Sequence, residues 1–430
     1  MDFKNMNDIT LQEYYSSLSN RYEDFQAQKL KLDMSRGKPC TEQLDLSSDL
    51  LESLSKTDYK TAAGVDCRNY GGVDGIPEAK ELFSWMLDAN PQEIMIGGNS
   101  SLTMMHDLLS RAMLHGFLES ETPWAKLPTV KFLCPSPGYD RHFAICEHLG
   151  IEMIPIDYQA DGPDMDQVEK LVAADPAIKG IWCVPKYSNP TGITYSDSVV
   201  RRLAAMPTKA PDFRIFWDNA YSVHHLTNTP DQLLDILKTC TQAGHPDRVF
   251  EFASTSKISF PGAGIAMLVS SVNNINWLKK HLNIQTIGPD KLNQLRHIRF
   301  FKDQAGIETH MHKHAAIIKP KFDIVLEILE SELGDKNLAS WSKPQGGYFI
   351  SLDTLPGCAQ KIVATAAAAG VLLTPAGATF PYGNDPEDKN IRLSPTFPPI
   401  SELKQAMELV VLCVQLVSAE QELAKRNLLS

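Results

Sequence analysis

The chain has 430 residues, more than a single hydrophobic core usually organises, so we expect one large domain and one smaller domain. Its composition, with 43% hydrophobic and 22% charged residues, is that of a folded globular protein. A net charge of −11 without any basic run longer than a pair argues against a nucleic-acid-binding surface.

Cysteines and apolar runs indicate the compartment. The eight cysteines are scattered, with no C-x-x-C pair, and several lie in apolar runs, so we expect reduced core residues and neither disulfides nor a zinc site. No stretch is long and apolar enough to span a bilayer, and the amino-terminal sequence lacks the apolar core of a signal peptide. We therefore expect a cytoplasmic protein without a membrane partner.

The first part of the chain predicts helices separated by a glycine loop. Apolar and aromatic residues at helical spacing predict a helix over about 8–30. The sequence NYGGVDG at 69–75 predicts a loop ahead of a helix that begins near Pro77 and ends near 90–91.

Strands and helices then alternate. The predicted strands are 93–96, 130–134, 151–156, 180–184, 213–217 and 249–252, and the helices between them include 102–118, 165–173 and 199–205. This order predicts an α/β fold with a mostly parallel sheet and helices on both faces. The polar segment after each strand then lies at the carboxyl edge of the sheet, where ligands bind.

The pattern changes from about residue 293. Long helices are predicted at 297–306 and 315–333, followed by a turn and strand at 346–350, a helix at 359–369, strands at 371–374 and 390–394, and a helix at 401–426. We expect an amino-terminal arm (1–50) that joins a smaller α/β domain (306–430), with the large domain at 51–305.

Lys257 follows a predicted strand and the hydroxyl cluster Ser254-Thr255-Ser256, and the glycine-rich sequence PGAG comes shortly after it. A poorly hydrated lysine there forms its neutral, nucleophilic amine more readily and can make a Schiff base with an aldehyde. Taken alone, the pattern favours a lysine that extends from the strand end to solvent.

Four other polar residues follow strands or occupy turns. Asp218 directly follows an apolar strand, where a carboxylate needs a cation or a strong donor such as a protonated pyridine nitrogen. Tyr221 could place its hydroxyl beside the Lys257 amine. Asn189 could donate from its turn, and Tyr139 could stack on a flat ring. Taken singly, each is most simply a turn or cap residue.

The loop GGNSS at 97–101 opens a helix. Its free backbone N–H groups, its hydroxyls and the helix dipole predict a phosphate cradle at Asn99, Ser100 and Ser101, although a plain helix cap has the same sequence. Arg392 lies between apolar neighbours on a predicted strand. Its guanidinium suits a bidentate carboxylate, and a structural ion pair would explain it equally well.

These segments together resemble a known family. NYGGVDG, GGNSS, PGYD, SNPTG, DNAY, STSK, GGYF and NIRLSPT occur in the order and approximate spacing of fold-type I pyridoxal-phosphate aminotransferases, over nearly the whole chain. SRGKP, STSK followed by PGAG, and NIRLSPT resemble more narrowly the aspartate-aminotransferase-like subgroup related to the aminotransferase domains of MocR regulators.

The resemblance implies how the cofactor pyridoxal 5'-phosphate would be held. Lys257 would form a Schiff base with it and shuttle the proton between substrate and cofactor, and Asp218 would pair with the pyridine nitrogen. Tyr221 and Asn189 would hydrogen-bond the ring oxygen, and Tyr139 would stack on the ring.

The resemblance also implies groups for the phosphate and the substrate. Asn99, Ser100 and Ser254 would hold the phosphate, helped by Tyr70 of the partner subunit in a homodimer with shared sites. Arg392 would bind the substrate α-carboxylate.

One cation of the family pattern is missing here, and the residue that would provide a second cation is not identified by the sequence. Relatives commonly carry a phosphate-binding arginine about eight residues after the lysine, where Ile265 stands here. A dicarboxylate substrate would need a second cation, for which Arg36, Lys38, or Arg296 or Arg299 of the partner subunit are candidates. Each could equally be a surface charge.

The histidines at 310, 312 and 314 include an i,i+4 pair that could bind a metal. Because the sequence offers no carboxylate partner, a solvated helix face is favoured, and we expect no metal.

The resemblance implies a transaminase that moves an amino group from an amino acid, aspartate in the first instance, to a 2-oxo acid such as 2-oxoglutarate by a ping-pong cycle. Alternatives of the same fold are an enzyme for alanine, aromatic or aminoadipate donors, and a β-lyase or decarboxylase. A MocR-type sensor is disfavoured because no basic segment precedes SRGKP, and a nicotinamide dehydrogenase because no G-x-G-x-x-G follows an early strand.

Overall fold

The computed structural model describes residues 6–428. Residues 1–5 of the predicted arm and 429–430 of the predicted small domain lie outside the described residues. The helices are α1 Asp8–Ala27, α2 Thr41–Asp45, α3 Pro77–Ser84, α4 Ser101–His115, α5 Asp140–His148, α6 Met165–Ala174, α7 Asp197–Ala205, α8 Ile236–Gln242, α9 Val272–Gln285, α10 Lys291–Phe301, α11 Gln304–Leu333, α12 Ala359–Ala368 and α13 Ile400–Lys425. The strands are β1 Leu32–Asp33, β2 Ile94–Ile96, β3 Lys131–Ser136, β4 Glu152–Gln159, β5 Gly162–Pro163, β6 Ile178–Cys183, β7 Arg214–Asp218, β8 Val249–Ser254, β9 Ala266–Val269, β10 Ala339–Trp341, β11 Ile350–Thr354, β12 Val371–Leu372 and β13 Asn390–Leu393.

Eight strands form the central sheet, in the order β2-β9-β8-β7-β6-β3-β4-β5. Strands β4, β3, β6, β7 and β8 are mutually parallel, whereas β9 runs antiparallel to both β8 and β2. The predicted mostly parallel sheet is thus confirmed. In the pairing of β7 with β8, Asp218 lies opposite Phe252, so the ends of these two strands lie side by side.

Both faces of this sheet are covered. On β7, Ile215 and Trp217 pack into the core on one face, whereas Phe216 packs with Phe250 and Phe252 into the core on the other. Because both faces are buried, these strands read as continuous apolar runs without polar alternation.

A second group of elements has its own core. Strands β10, β11 and β13 form an antiparallel sheet, β1 pairs with β12, and α1 packs against α13. The helix α11 belongs to both groups, because Ile307 and Met311 pack in the large core and Phe322 and Val325 in the second. The predicted boundary at 305/306 therefore falls inside a continuous helix, and the domain limits stay predictions.

The long helices differ from the sequence prediction in two respects. The helix expected over 297–306 is interrupted, because Lys302 has a left-handed backbone (φ 69°) and Asp303 caps the start of α11. Helix α11 begins at Gln304, earlier than the expected 315, and continues through Pro320. Across residues 6–428, no helix combines the length and apolar character needed to cross a bilayer.

The prediction of a solvated histidine face is wrong for two of its three residues. His312 is exposed, but His310 and His314 are buried, with their Nε2 atoms 3.0 Å apart. His314 Nδ1 lies 3.0 Å from the amide of Gln43, and His310 Nε2 lies 2.8 Å from the Ile258 carbonyl. The pair therefore ties the amino-terminal arm to the segment next to Lys257. Within residues 6–428, no three His, Cys, Asp or Glu side chains are grouped so that they could hold a metal.

We predict that this buried pair makes the fold acid-sensitive. Burial lowers the pKa of His314 from 6.5 to about 3, so the unfolded chain binds its proton at a higher pH than the folded chain does. Neutral His314 makes its full contribution to the free energy of unfolding above pH 6.5, and this contribution is lost as the pH falls toward 3. The free energy of unfolding should decrease by about 2 kcal/mol between pH 7 and pH 5 for this reason. Chemical unfolding at the two pH values should show a smaller difference in His314→Gln than in wild type. His312→Gln, on the exposed side of the same helix, is the matched control, and an equal effect of both variants would contradict this account.

Candidate active site

A cavity of about 760 Å³ lies at the carboxyl edge of the central sheet. It brings together nearly all the site residues predicted from the sequence: Arg36, Lys38, Asn99, Ser100, Ser101, Tyr139, Asn189, Asp218, Tyr221, Ser254, Lys257 and Arg392. Tyr70 is not part of its lining and is 82% exposed. The convergence of these side chains is an observation, and their roles stay predictions.

Asp218 ends β7 as a buried carboxylate with one oxygen occupied. Its Oδ2 lies 3.0 Å from Nε2 of His142, whose ring stacks on Trp182 with centroids 4.2 Å apart. Its Oδ1 is buried and has no hydrogen-bond partner among residues 6–428. Leaving a buried acceptor unpaired is costly, so this oxygen marks the place for a donor from a bound molecule. His142 was missed from the sequence, although it lies only three residues after Tyr139, on the first turn of α5.

The Lys257 amine lies beside two tyrosine rings that stack on each other, with centroids 5.9 Å apart. Nζ is 5.2 Å from the Tyr221 ring centroid and 5.7 Å from that of Tyr348, which the sequence did not single out. Burial lowers the pKa of Lys257 below 10.5, and the negative charge of Asp218 opposes that effect only in part. The amine is therefore neutral, and nucleophilic, at lower pH than an ordinary lysine.

The predicted phosphate cradle is hydrogen-bonded to the loop that contains Lys257. Ser100 caps the amino terminus of α4, and the Asn99 side chain donates to the Pro261 carbonyl at 3.1 Å. Ser254 Oγ lies 3.0 Å from Ser256 Oγ, and Ser256 Oγ donates to the Asn99 carbonyl at 3.3 Å. The two loops thus present hydroxyl groups and a helix amino terminus on one side of the cavity.

Neutral groups hold the segment that lacks the family arginine. Ile265 is buried, and its backbone N–H donates to Thr255 Oγ1 at 2.8 Å. The Asn293 amide donates to the carbonyls of Ala263 and Gly264 at 3.1 and 2.8 Å. A Cβ at Gly264 would lie 2.9 Å from Thr255 Oγ1, so this turn requires glycine.

The Arg392 guanidinium makes three hydrogen bonds at the cavity. Its Nη1 lies 3.0 Å from Asp140 Oδ1 and 3.3 Å from Asn189 Oδ1, and its Nε donates to Thr374 Oγ1 at 3.3 Å. The Phe349 ring packs on it, 4.9 Å from the central carbon. The ion pair that the sequence left open as an alternative is therefore present, and Arg392 nevertheless lines the cavity.

Three more cations line the cavity with exposed side chains. Arg36 and Lys38 lie on the arm, and Arg141, missed from the sequence, follows Asp140 on α5. Arg296 and Arg299 do not line the cavity of their own chain. Arg299 forms a salt bridge with Asp58 of the same chain. The lining therefore favours an anionic ligand.

Comparisons with known proteins agree with this geometry. The profile of the family described as aspartate amino-transferase matches residues 6–426. An aspartate aminotransferase from Corynebacterium glutamicum is 47% identical over 95% of this chain and 94% of its own. A putative aminotransferase from Mycolicibacterium smegmatis is 51% identical over 98% of this chain and 99% of its own.

A crystal structure of an aspartate transaminase from Corynebacterium glutamicum superposes with a TM-score of 0.96 at 45% identity, covering 98% of this chain and 99% of that chain. The chain belongs to the aspartate aminotransferase family, and the aminotransferase class predicted from its sequence is confirmed. Dependence on pyridoxal phosphate is a general property of aminotransferases of this fold.

We predict that the Lys257 amine titrates below 10.5 in the cofactor-free protein, because burial lowers its pKa. After reductive methylation with ¹³C-formaldehyde, the NMR signal that disappears in Lys257→Arg should titrate below that value. Since Asp218 raises the pKa of Lys257, Asp218→Asn should shift the titration to still lower pH. A Lys257 signal that titrates at or above 10.5 would show that the amine is hydrated.

Proposed function

We propose that this protein transfers the amino group of aspartate to 2-oxoglutarate, with pyridoxal phosphate bound in the cavity. One observation carries the proposal: Lys257, Asp218 and Arg392 line the same cavity, and one oxygen of Asp218 has no partner among residues 6–428. The Lys257 amine can react with an aldehyde, the Asp218 oxygen can accept a hydrogen bond from a ring N–H, and the Arg392 guanidinium can bind a carboxylate through two N–H groups.

The residues around Asp218 fit the pyridine ring of the cofactor. Asp218 Oδ1 would accept the ring N–H, and His142 would hold the carboxylate in place through Oδ2. Bound pyridoxal phosphate supplies an electron sink for the electron pair left on the substrate α-carbon. Tyr139 would cover the ring, and Tyr221 and Asn189 would hydrogen-bond its oxygen.

Lys257 would act as the base and acid of the cycle. Because burial lowers the pKa of its amine, Nζ would take the proton from the substrate α-carbon at a lower pH than an ordinary lysine could, and would then pass it to the cofactor carbon. The adjacent rings of Tyr221 and Tyr348 restrict where Nζ can move.

Neutral donors would bind the cofactor phosphate. Asn99, Ser100 and Ser101 at the start of α4, together with Ser254, offer N–H and hydroxyl groups, and the helix dipole favours an anion there. Tyr70 of the partner subunit would add one more hydroxyl.

A dicarboxylate fits the cations of the cavity. Arg392 would bind the α-carboxylate, and Arg36, Lys38 and Arg141 are the candidates for the distal one. The name of the Corynebacterium glutamicum relative supports aspartate as the donor.

Exposed apolar side chains support a homodimer. Tyr70 is 82% exposed, and Ile284 and Ile287 are 89% and 61% exposed. The loop that contains Tyr70 lies against the loop that follows α9, since a Cβ at Gly288 would lie 2.5 Å from the carbonyl oxygen of Gly71. Such a patch favours a partner surface. Light scattering should give twice the chain mass, and a monomer would contradict the shared site.

The proposed location is the cytoplasm. All eight cysteines are buried and none forms a disulfide, which agrees with a reducing compartment. Fractionation of the native host should place the protein with cytoplasmic enzymes, and recovery outside the cytoplasm would contradict this.

We predict that replacing Lys257 abolishes covalent attachment of the cofactor. After borohydride reduction, wild-type protein should gain the mass of one phosphopyridoxyl group on the peptide that contains Lys257, because its buried amine lies in the cavity that Asp218 also lines and close enough to interact with that carboxylate. Lys257→Ala should gain none and should lose transamination. The matched control is Lys186→Ala, a partly buried lysine outside this cavity, which should keep the modification. A wild type that gains no mass when supplied with pyridoxal phosphate would refute the proposed function.

We predict that Arg141→Gln selectively impairs dicarboxylate substrates. Losing a charge-assisted contact to the distal carboxylate should lower kcat/KM for aspartate by about tenfold. Alanine, which has no distal carboxylate, should be affected much less. Arg201→Gln, in an exposed pair with Asp197, is the control for loss of a positive charge. Equal losses for aspartate and alanine would assign Arg141 another role.

A further inference from the structure

Asp140 hydrogen-bonds the same guanidinium that we assign to the substrate α-carboxylate. A guanidinium has five N–H groups: one on Nε and two on each Nη. In Arg392, one Nη1 hydrogen is directed to Asp140 (3.0 Å), the other to Asn189 (3.3 Å), and the Nε hydrogen to Thr374 (3.3 Å). Within residues 6–428, only the two Nη2 hydrogens make no hydrogen bond.

This arrangement leaves no complete fork for an incoming carboxylate. Bidentate binding needs two parallel N–H groups, either one from each Nη or those of Nε and Nη2. The first pair requires a hydrogen that Asp140 or Asn189 holds, and the second requires the one that Thr374 holds. A substrate carboxylate must therefore displace one of these three residues.

Asp140 is the residue that can move. Its side chain is 32% exposed, whereas Asn189 and Thr374 are buried at 3% and 5%. It is also the only one of the three that carries a charge, so it repels an incoming carboxylate. Because Asp140 is the first residue of α5, helical N–H groups without intrahelical partners lie close to its side chain and can interact with it after it leaves Arg392.

We propose that the Asp140 carboxylate competes with the substrate α-carboxylate for the N–H groups of Arg392. This inference rests on the proposed function, in which Arg392 binds the α-carboxylate. Asp140 acts through Arg392: it weakens ground-state binding of every α-carboxylate by the same factor, which raises KM and favours product release. The cost of displacing Asp140 is the same for mono- and dicarboxylates, so Asp140 tunes affinity without setting the preference between them.

The test is Asp140→Asn in the holoenzyme. KM for aspartate and for alanine should both fall about three- to tenfold, without a rise in kcat. The dissociation constant of succinate, measured by calorimetry, should fall by the same factor. Asp140→Ser, which is too short to reach Arg392, should have the same effect and covers the case in which the first variant does not fold.

The controls separate contact competition from a general change of charge. Asp197→Asn removes an exposed carboxylate elsewhere and should leave all these constants unchanged. The effect of Asp140→Asn should persist in about 0.5 M KCl, which screens distant charges but not a contact pair. If KM and the succinate constant rise or stay unchanged in both variants, Asp140 orients Arg392 or is neutral, and the inference is wrong.

Failure of the proposed function would look different. Succinate binding needs no turnover, so tighter succinate binding in a protein that does not transaminate would uphold the competition and reject the proposed reaction. A protein that transaminates, but whose KM is unchanged in both Asp140 variants, would uphold the proposed reaction and reject the competition.

Discussion

The buried carboxylate of Asp218 is the constraint on which the site depends. A carboxylate at the end of an apolar strand is tolerated only when its oxygens are paired. His142 pairs one oxygen and is itself held against Trp182. The second oxygen is buried and has no partner among residues 6–428, and Asp218 is part of the cavity lining. The pairing of β7 with β8 then brings the Lys257 loop to the same edge.

The substrate side of the cavity comes from the second group of elements. Arg392 lies on β13, and Phe349, next to β11, packs on its guanidinium. Two groups with separate cores carry Lys257 and Arg392, so the relative position of the groups decides how far a carboxylate lies from the Lys257 amine. The buried pair His310 and His314 helps to fix that position, because it joins the arm to the carbonyl next to Lys257.

The sequence predicted those parts of the fold and site that depend on local pattern. Continuous apolar runs with polar ends identified the parallel strands, and Lys257 and Asp218 follow such runs directly. His142, Asp140 and Arg141 were missed because the face that α5 turns to the cavity depends on how the helix packs on the sheet. His310 and His314 were misjudged for a related reason, since their partners, Ile258 for His310 and Gln43 for His314, lie far away in the sequence.

The half-reaction with single amino acids tests the central claim most directly. Holoenzyme mixed with aspartate in the absence of an acceptor should release one equivalent of oxaloacetate per subunit and no ammonia. Alanine, kynurenine and aminoadipate should react more slowly, because Arg392 and the distal cations together match a short dicarboxylate. Release of ammonia or carbon dioxide, faster reaction with kynurenine or aminoadipate, or no oxo acid from any donor would contradict the account.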